Sequence, residues 1–209
     1  MSQTILPGPT ESTRQSVLND LSQQSWSVID GAVSGDILRV LRERMAALQP
    51  QDFLNAGVGR ASDHRQAIDY RSDRIHWLEP DHAQEQTWLT WCEQLKAALN
   101  QTFFFGLDRY EAHFAHYAPG QRYQRHIDAF KGQANRRVST VLYLNTDWND
   151  SDGGELVIYP PEQEERAISP QPGRLVTFLS DVIPHEVMPA KRDRYSIAGW
   201  FRVRESRVI

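Results

Sequence analysis

The chain has 209 residues and a mass of 24.1 kDa, with 27 acidic against 23 basic side chains, so its net charge is −4 and its pI is near 6.0. That length is enough for one domain with a real interior, and that charge argues against a general nucleic-acid binder, whose surface is usually basic. Cys92, the single cysteine, excludes an internal disulfide and a thiolate zinc cluster; no apolar run reaches membrane-spanning length, and Met1–Ser12 lacks the charged and apolar blocks of a secretory leader, so a cytoplasmic protein is expected.

Residues 1–10, around Leu6-Pro7-Gly8-Pro9, read as a flexible tail. Glu11–Gln23 carries Val17, Leu18 and Leu21 on one side and predicts a first helix, followed by a short strand over Trp26–Ile29. Ser34 is placed to cap a second helix bearing Ile37, Leu38, Leu41, Met45 and Leu48 at helical spacing and stopping before Pro50. Asp81 with Gln84 has the spacing of a capping pair for a third helix. Its stripe of Trp88, Trp91, Leu95 and Leu99 predicts packing against a sheet. From Tyr110 the period changes to two. Strands are expected over Tyr110–Tyr117, Tyr123–Asp128, Arg137–Leu144, Glu155–Tyr159, Arg174–Leu179, His185–Val187 and Tyr195–Arg204. Helices first and short strands after favour a mainly β, α+β chain: an antiparallel jelly roll braced by about three helices. Residues 11–209 then form one domain, with 11–109 as helical support and loop and 110–209 as the β core.

The chemistry-bearing residues gather in that β half. His126-Ile127-Asp128 followed by His185 offers two imidazoles and one carboxylate, the donor set of a non-haem ferrous site with open coordination positions. A histidine and an aspartate two apart are common by chance, so the setting matters more than the triplet. In a strand, Gln124, His126 and Asp128 would share one face. Nine residues beyond His185, Arg194 alternates with Ser196, Ala198, Trp200 and Arg202. A guanidinium with small Ser and Ala beside it looks like a fixed cation at the back of a pocket, suited to a carboxylate.

These motifs, in this order, resemble the catalytic core of the prolyl 4-hydroxylase branch of the iron(II)/2-oxoglutarate-dependent oxygenases, and are especially similar to the hypoxia-sensing prolyl hydroxylases and their bacterial relatives. The matching features are Tyr117-x-Pro119-Gly120, Tyr123-x-Arg125-His126-x-Asp128, Leu142-Tyr143-Leu144-Asn145-x-x-Trp148, Gly153-Gly154-x-Leu156, Pro184-His185-Glu186-Val187-x-Pro189 and Arg194-Tyr195-x-Ile197-x-x-Trp200. The likeness reaches back through Gly57-Val58-Gly59-Arg60 and Arg71-x-Asp73-x-Ile75-x-Trp77. It implies a double-stranded β-helix, with iron(II) on His126, Asp128 and His185. It further implies 2-oxoglutarate paired through its distal carboxylate with Arg194 and Tyr143, beside Tyr117 and walled by Trp200. Dioxygen is the second co-substrate, and ascorbate a possible accessory. One departure stands out: the hypoxia-sensing enzymes have a threonine where this chain has Ala198, which removes a hydroxyl near the metal.

The same resemblance implies a prolyl residue in a protein as substrate, and the translation factor EF-Tu as the specific candidate. Phe53–Tyr70, with Gly57 and Gly59, would be a loop folding over the peptide, and Arg71, Asp73 and Trp77 would shape the same surface. The bland alternative for these three is a structural ion pair and a core tryptophan. A nucleic-acid demethylase of this fold would carry a second arginine six residues beyond Arg194, where this chain has Trp200. A hydroxylase of a free amino acid and a non-enzymatic metal-binding sensor are the remaining alternatives.

Overall fold

The computed structural model describes residues 7–56, 70–129 and 135–204. Helix α1 (Glu11–Gln24) is capped by Thr10, whose side chain accepts from the Thr13 amide, and ends at Ser25 in the left-handed region. Helix α2 (Gly35–Ala47) starts at Ser34, whose hydroxyl accepts from the Ile37 amide as the sequence predicts. Helix α3 (Ala83–Phe103) departs from expectation at its start. Its cap residue is His82 and makes no side-chain cap bond, so Asp81 and Gln84 do not form a capping pair. Glu85 takes over instead: fully buried, it accepts from the Glu79 amide and from Arg44 of α2. A local motif gives way here to a tertiary ion pair.

Eleven strands are found among the described residues: β1 (Trp26–Ile29), β2 (Leu54–Asn55), β3 (Arg74–Trp77), β4 (Leu107–Tyr117), β5 (Tyr123–His126), β6 (Arg136–Tyr143), β7 (Leu156–Ile158), β8 (Arg166–Ile168), β9 (Leu175–Leu179), β10 (His185–Val187) and β11 (Arg194–Val203). They form a seven-stranded sheet, β1-β9-β6-β11-β4-β3-β2, and a four-stranded sheet, β5-β10-β7-β8. Every strand pairing between them is antiparallel. The sequence reading missed β2, β3 and β8. Each is only two to four residues long, and none stands out from its flanks by alternation.

Both faces of the large sheet are buried. On one, Ala112, Phe114, Val138, Leu142, Leu175, Ile197 and Phe201 meet Leu41 of α2 and the stacked Trp88 and Trp91 of α3. On the other, Ala115, Tyr117, Tyr143, Val176 and Phe178 meet Leu156, Ile158 and Val187 of the small sheet. This division follows the period of two along each strand. The residues that point neither into helices nor into apolar inter-sheet packing are the polar ones at the mouth between the sheets. There the site forms.

Candidate metal and co-substrate site

Strand β5 ends at His126, and β10 begins at His185; the two are register partners, so sheet pairing alone sets the imidazoles side by side. Their ring centroids are 4.2 Å apart. The Nδ1 of His126 lies 2.8 Å from the Gln124 carbonyl and the Nδ1 of His185 lies 3.1 Å from that of Ile183. A carbonyl only accepts, so each Nδ1 carries the proton and each Nε2 keeps its lone pair for a metal. The Tyr123 ring stacks on His126 at 3.6 Å between centroids, and Phe178 lies against His185, fixing both planes.

Asp128 arrives by a different route. The expected strand over Tyr123–Asp128 stops at His126, and Asp128 sits in the bend beyond it, so strand alternation does not place the carboxylate. Two hydrogen bonds do: its Oδ2 accepts from Ser139 Oγ at 2.7 Å and from Trp200 Nε1 at 2.8 Å. Oδ1 lies 3.5 Å from His126 Nε2, and His185 Nε2 lies 3.8 Å from Oδ2. One donor atom from each of His126, Asp128 and His185 lies within 4.8 Å of the others. Burial would raise the Asp128 pKa, but the neighbouring histidines and the Ser139 hydroxyl outweigh it and hold the carboxyl below its ordinary range. Burial pushes His185 down to about 4, so it stays neutral. A charged carboxylate beside imidazole nitrogens is what a ferrous ion needs, and the donor set of two histidines and one aspartate fits that metal.

Arg194, at the start of β11, is 1% exposed. Its Nε donates to the Gly154 carbonyl at 2.8 Å, its Nη1 donates to Ser196 Oγ at 3.4 Å, and its Nη2 has no partner among the described residues. No carboxylate of the described residues pairs with it. The guanidinium instead lies 5.1 Å from the Tyr117 ring centre and 5.0 Å from that of Tyr143, whose hydroxyl is also buried without a hydrogen-bond partner among the described residues. A buried cation lacking a counter-ion is costly, and a ligand carboxylate would relieve both orphans at once. The Gly153-Gly154 turn is what lets the chain approach. Gly154 has φ +75°, and a Cβ there would stand 2.9 Å from the Ala190 Cβ and 3.3 Å from Arg194 Cδ.

One cavity is lined by the triad, Arg194, Ser196, Ala198, Trp200, Tyr117 and Arg71. The other sequence-predicted residues sort differently. Arg71 and Asp73 form a two-point ion pair, with Nε–Oδ1 2.7 Å and Nη2–Oδ2 2.9 Å, and Arg71 also covers the Tyr123 ring. Trp77 is 39% exposed and meets Trp200 and His113, so the core alternative for it is wrong. Most of the expected loop, residues 57–69 with Gly57 and Gly59, lies outside the described residues. Sequence reasoning missed Ser139 and gave Trp200 only a wall, whereas its indole also holds the carboxylate. Inward alternation of Ser139 with Val141 and Tyr143 was the available signal. A larger cleft of about 560 Å³, near Arg42, Phe53 and Trp148, contains none of the triad.

Comparisons with known proteins agree with this geometry. Residues 112–202 match the 2OG-Fe(II) oxygenase superfamily. A Pseudomonas putida prolyl-4-hydroxylase structure superposes with TM-score 0.84 at 36% identity, covering 92% of this chain and 100% of that one. A Trichoplax adhaerens prolyl hydroxylase, solved in complex with a hypoxia inducible factor peptide fragment, gives TM-score 0.78 at 28% identity, covering 92% of this chain and 90% of that one. The Caenorhabditis elegans hypoxia-inducible factor prolyl hydroxylase is 28% identical over 205 residues, which cover 91% of this chain but 28% of the worm protein. The chain therefore spans under a third of that curated relative's length.

Proposed function

Because the chain belongs to the 2OG-Fe(II) oxygenase superfamily, beside the prolyl hydroxylases, we propose that it is an iron(II)- and 2-oxoglutarate-dependent dioxygenase that hydroxylates a prolyl residue in a protein, releasing succinate and CO2. The observation that carries this reading is the pairing of a buried His-Asp-His donor set with a buried, unpaired guanidinium in one cavity. His126, Asp128 and His185 would hold iron(II), which when bound supplies dioxygen activation and the oxidative decarboxylation of the co-substrate. Arg194 and the Tyr143 hydroxyl would bind the distal carboxylate and so orient the keto-acid end toward the triad. Tyr117 would lie along the co-substrate. Trp200 keeps the Asp128 carboxylate aimed and screens it from solvent.

Arg71 lines the cavity and is held by Asp73, and the exposed Trp77 indole lies against Trp200 of the cavity wall, which supports a role for these three in receiving the substrate chain. We propose EF-Tu as the substrate, on the sequence likeness to bacterial relatives, and ascorbate as an accessory. Isothermal titration should show 2-oxoglutarate binding that strengthens with iron(II). Incubation with EF-Tu should add one oxygen at a proline, read by peptide mass spectrometry. Binding without any oxidised protein peptide, but with turnover of free proline, would shift the reading to a small-molecule hydroxylase. No binding of 2-oxoglutarate would remove the enzyme reading altogether.

A further inference from the structure

A third histidine of the cavity belongs to no role assigned so far. His113 lies on β4 with its side chain on the inward face shared by Ala115 and Tyr117, and it lines the cavity while being 1% exposed. Its Nδ1 sits 3.2 Å from the Phe114 carbonyl, so that nitrogen carries the proton, as in the two triad imidazoles. The distal Nε2 then presents a lone pair to the interior, and no group of the described residues donates to it. Its nitrogen is outside the set of donor atoms that converge for a metal. An apolar side chain would fill this position without leaving an acceptor unmet, so an orphan here calls for a partner.

Register locates the orphan. His113 pairs with Ala198 of β11 on one side and Trp77 of β3 on the other. Along β11 the Ala198 row is four residues from Arg194, roughly 13 Å at the usual strand rise, and two residues, roughly 7 Å, from Trp200. Trp200 holds Asp128, so His113 stands toward the metal end and away from the guanidinium. The missing partner cannot be a carboxylate of the co-substrate, because a carboxylate at neutral pH has no hydrogen to give. It must be an O–H or N–H donor, and a buried spot beside the small Ala198 suits a solvent molecule.

We propose that His113 is a positioning residue: its Nε2 accepts a hydrogen bond from one buried water and fixes that water beside Ala198, on the metal side of the cavity. Burial, with the nearby Arg71 cation, keeps the ring neutral by pushing it down to about 4, so the acceptor persists at physiological pH. The water itself stands on the orphan Nε2; its effect on turnover rests on the oxygenase reading.

The direct test is nitrogen NMR of histidine-labelled protein, alone and with zinc(II) and 2-oxoglutarate, combined with water-to-Hε1 cross-relaxation. The expected result is a neutral His113 protonated at Nδ1, an Nε2 shifted as for an accepted hydrogen bond, and a long-lived water beside Hε1. A proton on Nε2, or an Nε2 with the shift of a free acceptor and no bound water, would overturn it. In the iron(II)/2-oxoglutarate assay followed by succinate, His113→Phe should lower kcat about tenfold while the KM for 2-oxoglutarate stays within twofold. His113→Gln, which keeps a polar tip, should stay within threefold of the parent. Equal losses in the two variants, or none in either, would refute the positioning role. If the unmodified protein bound neither metal nor 2-oxoglutarate, the oxygenase reading would fail, while the NMR result would still decide the water site.

Discussion

The two ends of the cavity are built on opposite principles. At the metal end, the atoms of the triad that face away from the metal position have partners inside the protein: Nδ1 of both imidazoles on backbone carbonyls, and Asp128 Oδ2 on Ser139 and Trp200. At the other end, Arg194 Nη2 and the Tyr143 hydroxyl are buried without a hydrogen-bond partner among the described residues. The triad itself is finished by the fold and asks for a cation. The other end is left open and is completed by its ligand. Such an asymmetry suits a resident metal and an exchangeable co-substrate, because pre-organisation favours tight holding while orphan donors favour whatever anion arrives.

Substitutions can pull the two ends apart. The largest effect should come from Asp128→Ala, which leaves two imidazoles and no charge: iron(II) binding and succinate formation should both vanish, as followed by metal titration and product assay. Retained turnover would show that the triad is misassigned. Arg194→Ala should weaken 2-oxoglutarate at least about 100-fold, the usual cost of removing one partner of a buried charge pair. Iron affinity, measured on the same sample, should move by less than about threefold. Comparable losses of both ligands would mean that the ends are not independent.

Ser139→Ala and Trp200→Phe probe the finish of the metal end more gently. Each removes one donor to Asp128 Oδ2 and should lower iron affinity about tenfold, at the low end for outer partners of a metal ligand. Their effect on 2-oxoglutarate without metal should be negligible.

The last effect is on stability in acid and leaves both ligand sites aside. His113 and His185 are each pushed by burial from the ordinary 6.5 down to about 4. The unfolded chain then binds more protons between those values, so metal-free stability is full above pH 6.5 and falls as the pH drops toward 4. The ceiling is roughly 3 kcal/mol for each ring. Urea unfolding at pH 7.5 and pH 5 should show a smaller loss for His113→Gln than for the parent, since the variant has one fewer ring to charge. Identical losses would place the acid sensitivity elsewhere.

Much of this architecture is visible in the chain before it folds. Period-two runs long enough to count, such as Tyr110–Tyr117 and Tyr195–Arg204, announce the strands found at Leu107–Tyr117 and Arg194–Val203. Ser34 and the heptad-like spacing after it announce α2. His126, Asp128, His185 and Arg194 stand out because metal and carboxylate chemistry restrict the residue types that can serve. The short strands β2, β3 and β8 escape notice because sheet neighbours, not local pattern, hold them. The supposed cap of α3 fails for the same reason: Glu85 finds a better partner in Arg44, far away in sequence.

What the chain determines alone is therefore the inventory: which residues can bind a cation or an anion, and which faces must be dry. What only the tertiary structure decides is who completes whom. Asp128 is aimed by a serine and an indole from two other strands, and His113 is set between Trp77 of β3 and Ala198 of β11 by register. Hydrogen bonds between distant strands depend on register and on the separation of two sheets, and neither quantity is written in any local stretch of sequence.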